Sequence, residues 1–199
     1  MSDPVRVIVA PDKCKGTLTG REAAEAMSAG VREVLPDAVI EQVLLADGGE
    51  GTVQAVLAAG GTRHTCTVTG PLGDPVVAEL AVHDGVAVLE AAQACGLQLI
   101  EPTREHALSA SSSGVGDLVR AAWEAGATRV VVGLGGVACT DGGAGMATVL
   151  GAGLLDAAGR PVHPGGGRLG EVVSVRLDGL DPRVGTTRFV AATDVTNPL

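Results

Sequence analysis

Four aspartates in this chain stand at, or just past, the ends of apolar runs. Asp12 follows Val5–Ala10, Asp47 follows Val39–Leu45, and Asp194 follows Arg188–Thr193. Asp141 lies a short glycine-rich loop beyond Arg129–Leu134. If those runs are strands of one α/β sheet, their carboxyl ends line the crevice where such sheets bind ligands. Carboxylates placed there can hold Mg2+ against phosphates, or take a proton from an attacking hydroxyl. Aspartate is also common in loops and helix caps, so any one of the four read alone is structural. The four together favour a site.

The cations narrow the chemistry. Of fourteen basic residues twelve are arginine, and the two lysines, Lys13 and Lys15, share the segment P-D-K-C-K-G-T. A compact ammonium between a strand end and a helix start suits a phosphate oxygen. The plain alternative is a solvated loop charge. The stretch from Arg129 to Met146, R-V-V-V-G-L-G-G-V-A-C-T-D-G-G-A-G-M, carries glycines at 133, 135, 136, 142, 143 and 145 around Thr140 and Asp141. Such a turn either reverses the chain or lets backbone approach a polyanion. Helix starts after Thr17–Thr19 and after Ser111, Ser112 and Ser113 offer backbone N–H groups suited to anions.

The elements that must carry these residues alternate. Val5–Ala10 reads as a buried strand, and Thr19-Gly-Arg-Glu22 as a capping box opening a helix with Ala23, Met27, Val31 and Val34 on one face. Val39–Leu45 is a second strand, followed by a helix over about 52–59 that ends at Gly60-Gly61. Three short strands follow, Thr65–Val68, Val76–Val82 and Val86–Leu89, the last two joined by the hairpin signal Asp84-Gly85. Glu90–Leu97 reads as a short helix and Glu101–His106 as a loop. A helix after Ser113 has Val115, Leu118, Val119 and Ala122 on its stripe. Strand 129–134, a helix from Gly145, a hairpin over 154–162 with Asp156 at its tip, and strands over 172–177 and 188–193 complete the chain. The expected class is α/β, a Rossmann-like three-layer domain with a mostly parallel sheet. Residues 1–61 and 107–199 form its core, and 62–106 a smaller β-rich inserted segment.

Composition excludes several functions. The chain has 199 residues, 46% hydrophobic, a mean hydropathy of +0.33 and a net charge of −9. An acidic chain with one Trp, one Phe and no Tyr lacks the basic face and stacking platforms of a nucleic-acid binder. No signal-like or membrane-spanning run occurs, so a cytoplasmic protein with no membrane partner is expected. Cys14, Cys66, Cys95 and Cys139 form no C-x-x-C and read as reduced thiols, with Cys14 filling a gap. There is no G-x-x-x-x-G-K-[ST]. Gly133-x-Gly135-x-x-Ala138 fits the dinucleotide fingerprint, with Asp156 about twenty residues on. However, Thr140-Asp-Gly-Gly143 interrupts the place where the helix should begin.

Six motifs together resemble one family. A-P-D-K-C-K-G-T-L-T, L-A-D-G-G-E-G-T, T-G-P-L-G-D-P, S-S-G-V-G-D-L, V-G-L-G-G-V-A-C-T-D-G-G-A-G-M and A-T-D-V-T-N-P-L occur in the order and at about the spacing of bacterial type I glycerate kinases, the glycerate 2-kinase family. The resemblance implies phosphorylation of D-glycerate by ATP with Mg2+, 2-phosphoglycerate being the favoured product, in a cleft between two α/β domains. Asp47 or Asp194 is then the base toward the glycerate hydroxyl, and Asp141 and Asp194 hold the metal. Lys15 acts in catalysis, with Lys13 and Asp12 beside it. Gly48, Gly49, Ser111, Ser112, Ser113, Gly135, Gly136, Thr140, Gly142, Gly143 and Asn197 bind substrate or phosphate.

The chain departs from the family pattern at Cys14, Val137, Cys139-Thr140 and Thr193. It also stops at D-V-T-N-P-L, where members continue about as far again. A fragment or a truncated remnant is therefore expected, with an unpaired sheet edge that invites a homo-oligomer. A nicotinamide-dependent oxidoreductase is the competing enzyme reading.

Overall fold

The computed structural model describes residues 4–11, 14, 17–45 and 48–193. The chain runs β1 (Arg6–Val9), α1 (Gly20–Val34), β2 (Val39–Gln42), α2 (Thr52–Ala58), β3 (Thr62–Thr69), β4 (Pro75–His83) and β5 (Val86–Glu90). It continues through α3 (Ala91–Cys95), α4 (Arg104–Ser109), α5 (Ser113–Glu124), β6 (Arg129–Gly133), α6 (Ala144–Val149), β7 (Gly153–Leu155), β8 (Ser174–Arg176) and β9 (Arg188–Ala192). The α/β class is the one expected.

Five strands form the central sheet in the order β3-β4-β5-β6-β9. The hairpin at Asp84-Gly85 joins β4 to β5, with φ of 47° and 74° at its two turn residues, the left-handed pair that matches strand twist. Strands β5, β6 and β9 are parallel, and their register sets Glu90 beside Gly133 and Gly133 beside Ala192. Three carboxyl ends therefore stand level on one edge. β1 and β2 pair in parallel as a separate two-stranded sheet, so the four strand-end acids do not share one sheet. The strands of residues 62–106, by contrast, share both sheet and core with later ones: Val68, Ala78, Leu80 and Leu89 pack in one cluster with Val130 and Val132.

Alternation along β4 divides the sheet's faces. Ala78 and Leu80 join the cluster covered by α5, whose Val115, Leu118, Val119 and Ala122 are all buried. α2 lies against β4 and β5 and buries Val53. The T-x-x-E capping box of α1 is present in full: Glu22 N donates to Thr19 Oγ1 at 3.2 Å, and Thr19 N to Glu22 Oε2 at 2.8 Å.

Two local expectations change. α1 buries Ala23, Ala24 and Ser28, whereas Met27 and Val34 are 53% and 79% exposed. Ser28 explains the rotation, because its hydroxyl donates to Ala24 O and accepts from Gln42 Nε2 of β2. Of the stripe read from spacing, Ala23 is buried, whereas Met27, Val31 and Val34 line an open groove with Val7, Ile8 and Val9. The loop expected over Glu101–His106 holds only for 101–103, and Arg104–Ser109 is helical. Thr103 accepts from His106 N at 3.1 Å, a cap that outweighs the weak periodicity of so short a helix. No helix among the described residues is long and apolar enough to cross a membrane.

Leu118→Ala, at the centre of the cluster, is expected to cost about 2–5 kcal/mol in urea unfolding. Val34→Ala on the open stripe should stay within about 0.5 kcal/mol. Equal losses would contradict this placement of the core.

Candidate functional site

The site is built where the loop between β6 and α6 meets two other segments. The first meeting is backbone on backbone. A Cβ on Gly133 would strike Gly48 O, and one on Gly135 would come 2.8 Å from Gly49 Cα. A Cβ on Gly48, whose φ is +89°, would come 2.6 Å from Ala192 O. The loop after β2, the end of β6 and the end of β9 can cross this closely only because glycine stands at each contact. Gly135 N faces Gly48 O at 3.5 Å, and Leu134 N donates to Ala192 O at 3.0 Å. The crossing brings Gly48, one residue past Asp47, together with Gly49, Gly133, Gly135 and with Ala192, which lies two residues before Asp194. Thus Gly48 and Gly49, after β2 in sequence, reach the common edge, although β2 lies in another sheet.

The second meeting is at Asp141, 1% exposed. Its Oδ2 accepts from Ser112 N at 2.8 Å, Ser112 Oγ at 3.0 Å, Gly145 N at 3.0 Å and Ser111 Oγ at 3.4 Å. Its Oδ1 accepts from Gly143 N at 3.1 Å. Ser112 Oγ in turn accepts from Met146 N at 3.0 Å, and Ser111 Oγ accepts from Ser113 N at 3.2 Å. The starts of α5 and α6 therefore face one buried carboxylate, which accepts from the amides of Ser112, Gly143 and Gly145 and complements both helix dipoles. Gly145 is required here, since its Cβ would come 2.7 Å from Ser113 N and 2.9 Å from Asp141 Oδ2.

This changes the roles open to several residues. Ser111, Ser112 and Ser113 are buried, and the amides of Ser112 and Ser113 are engaged within the protein, not free for an external anion. The chain's own carboxylate occupies the place a bound anion would take. Thr140 is exposed and donates to Ala107 O at 2.9 Å, tying the loop to α4. Gly136 and Gly142 are exposed with φ of 72° and 59°, and nothing lies within 4 Å of a Cβ built at Gly142. Gly143, with φ of 84°, is the N-cap of α6. Asp12, Lys13, Lys15, Asp47, Asp194 and Asn197 lie outside the described residues. Cys14 is exposed and does not fill a gap.

Other residues at this edge went unnoticed in the sequence. Glu90, the last residue of β5, is buried and accepts from Val53 N at 2.8 Å near the start of α2. Its signal was the one applied to the aspartates, an acid closing an apolar run. Asp117 accepts from Thr69 N and Oγ1 at 2.9 and 2.8 Å, holding the T-G-P-L-G-D-P loop to α5. Cys95 and Cys139 place their sulfurs 3.5 Å apart. Their mutual hydrogen bond, with burial, pushes the Cys95 thiol up. The same bond holds Cys139 below its usual value.

The dinucleotide fingerprint does not take its expected form. After Gly133 the chain turns at Gly135 and Gly136, Val137 bridges to Gly96 and Ala138 N donates to Cys95 O, and the helix begins only at Ala144. Asp156 sits in a turn and binds its own Arg160 at 2.9 Å.

Against this geometry, the sequence pattern described as the glycerate kinase family matches residues 7–199. The chain belongs to that family. It is 45% identical to the glycerate 2-kinase of Escherichia coli K12 and 44% identical to the glycerate kinase of Bacillus subtilis 168, each match covering 98% of this chain and 52% of the relative. The crystal structure of glycerate kinase 2 from Salmonella typhimurium LT2 superposes with a TM-score of 0.84 at 42% identity, over 99% of this chain and 54% of that one. The chain thus spans about half the length of the relatives it matches.

Asp141→Ala should destabilise by at least about 3 kcal/mol in urea unfolding, because it strands several buried N–H and O–H donors together. A loss below about 1 kcal/mol would mean that the carboxylate does not organise the two helix starts.

Proposed function

We propose that the protein, as this chain or as the part of a longer one, transfers the γ-phosphoryl group of ATP to a hydroxyl of D-glycerate, with 2-phosphoglycerate as product. The observation that carries this reading is the glycine crossing of Gly48, Gly133 and Gly135 with Ala192. It draws Gly48, the residue after Asp47, and Ala192, two residues before Asp194, to one carboxyl edge, as α/β ligand sites require. Family membership supports the same reaction.

Catalysis would rest on positioning and charge neutralisation. Asp47 or Asp194 would take the proton of the attacking glycerate hydroxyl. Lys15, with Lys13 and Asp12 nearby in sequence, would steady phosphate or the glycerate carboxylate. The exposed turns at Gly136 and Gly142 would present backbone to the polyphosphate without side chains in the way. Asn197 would contact substrate from the chain segment after β9. Asp141 has both oxygens engaged by protein donors, so its geometry does not fit the metal role assigned from sequence. Mg2+ would fall to Asp194 and the phosphates, and would supply neutralisation of the charge on the transferred group. Asp141 and Ser111–Ser113 would act by fixing the loop. A cytoplasmic setting and a homo-oligomer belong to the same proposal; the four unpaired cysteines accord with the setting.

The test uses a chain in which residues 1–199 are followed by the remaining segment of the E. coli relative. ADP release that depends on D-glycerate is expected, with 2-phosphoglycerate identified by phosphorus NMR. Asp47→Asn and Asp194→Asn are each expected to lower kcat by about 10²–10⁴-fold, with the circular dichroism spectrum unchanged. Near-normal turnover in both variants would remove the base assignment, and no glycerate-dependent ADP release would remove the reaction.

A further inference from the structure

We propose that Cys95 and Cys139 form a reversible disulfide that pins the Asp141 loop to the end of α3, making this loop a site of thiol oxidation. The proposal starts from the 3.5 Å contact between the two sulfurs, which lie 44 residues apart in sequence. The backbone already holds the two segments face to face. Gly96 and Val137 form an antiparallel bridge, Ala138 N donates to Cys95 O at 2.8 Å, and Leu97 N donates to Gly136 O at 2.9 Å. The sulfurs need only approach by roughly 1.5 Å to reach bonding distance, a side-chain movement within a fixed frame. Cys95 is fully buried at the end of α3, and Cys139 is partly exposed two residues before Asp141. Neither thiol has a part in the phosphoryl transfer proposed above.

The partial exposure of Cys139 and the burial of Cys95 set the order of events. With hydrogen peroxide as oxidant, the Cys139 sulfur gives an electron pair to one peroxide oxygen and the O–O bond breaks. The displaced hydroxide takes the thiol proton and leaves as water, so that Cys139 becomes a sulfenic acid. The Cys95 sulfur then attacks the Cys139 sulfur. The S–O bond breaks, and a second water leaves with the Cys95 proton. One peroxide is reduced to two waters and two thiols are oxidised to one disulfide. A small dithiol reverses the step by exchange. The bond cross-links the exit of β5 to the loop that carries Thr140 and Asp141.

The experiment exposes the whole chain to equimolar hydrogen peroxide, removes the excess with catalase, and alkylates under denaturing conditions. Two of the four thiols should be lost to alkylation, and the mass before alkylation should fall by two hydrogens. One cross-linked peptide pair containing Cys95 and Cys139 should appear, and dithiothreitol should restore all four thiols. A chain carrying Cys14→Ser and Cys66→Ser should give the same bridge. Four alkylated thiols after oxidation would overturn the proposal. So would Cys139 as a sulfinic acid beside a reduced Cys95, or a bridge that uses Cys14 or Cys66. The wild-type peptide map decides alone, whatever the folding of any variant.

Discussion

The structure depends on one buried carboxylate. Asp141 is almost fully out of water and accepts from the amides of Ser112, Gly143 and Gly145 and from two serine hydroxyls. A carboxylate buried without such donors would leave its oxygens unsatisfied at a high cost in stability. With them, it fixes where α5 and α6 begin and where the loop from β6 must end. The two helices then pack closely at Gly116, whose Cβ would come 2.7 Å from Val149 Cβ. Gly145 and Gly116 are small for the same reason: the backbones on either side of Asp141 cannot move apart.

A second constraint follows from the first. With the far end of the loop fixed at Asp141, its near end is fixed by the parallel register of β5, β6 and β9. Between these anchors, the segment after β2 is drawn across Gly133 and Gly135 and against Ala192. The edge that results joins the end of the central sheet to the loop after β2, although β1 and β2 pair only with each other and not with the five central strands. In the proposed phosphotransferase this edge would form one wall of the cleft, closed by backbone contact at Gly48, Gly133, Gly135 and Ala192.

Much of this was legible from residue order. Strong local rules held: the capping box at Thr19, the Asp84-Gly85 hairpin, and the α5 stripe of Val115, Leu118, Val119 and Ala122. Spacing failed where tertiary contact decided the outcome. Met27 and Val34 carry the helical apolar period, but Ser28 and Gln42 turn α1 the other way. An acid after a strand looks the same in sequence whether it meets a metal or a helix start. Asp141 has in-chain donors within reach, and nothing in its neighbours' identities says so, because most of those donors are backbone. Glu90 follows the same rule in reverse, a strand-end acid passed over although it sits on the same edge as Gly133 and Ala192. The lysines and the acids at 12, 47 and 194 stand on motif order and family membership.

The central claim is that the β6–α6 loop and the Gly48–Gly49 turn line one polyphosphate-binding edge. Hydrogen exchange resolved to short peptides tests it most directly. It would be measured on the chain extended with the E. coli segment, with and without an unreactive ATP analogue, Mg2+ and D-glycerate. The account predicts added protection in peptides covering 48–51 and 134–143, with the β7–β8 hairpin unchanged. Protection confined to other segments, with those two peptides unaffected, would contradict it.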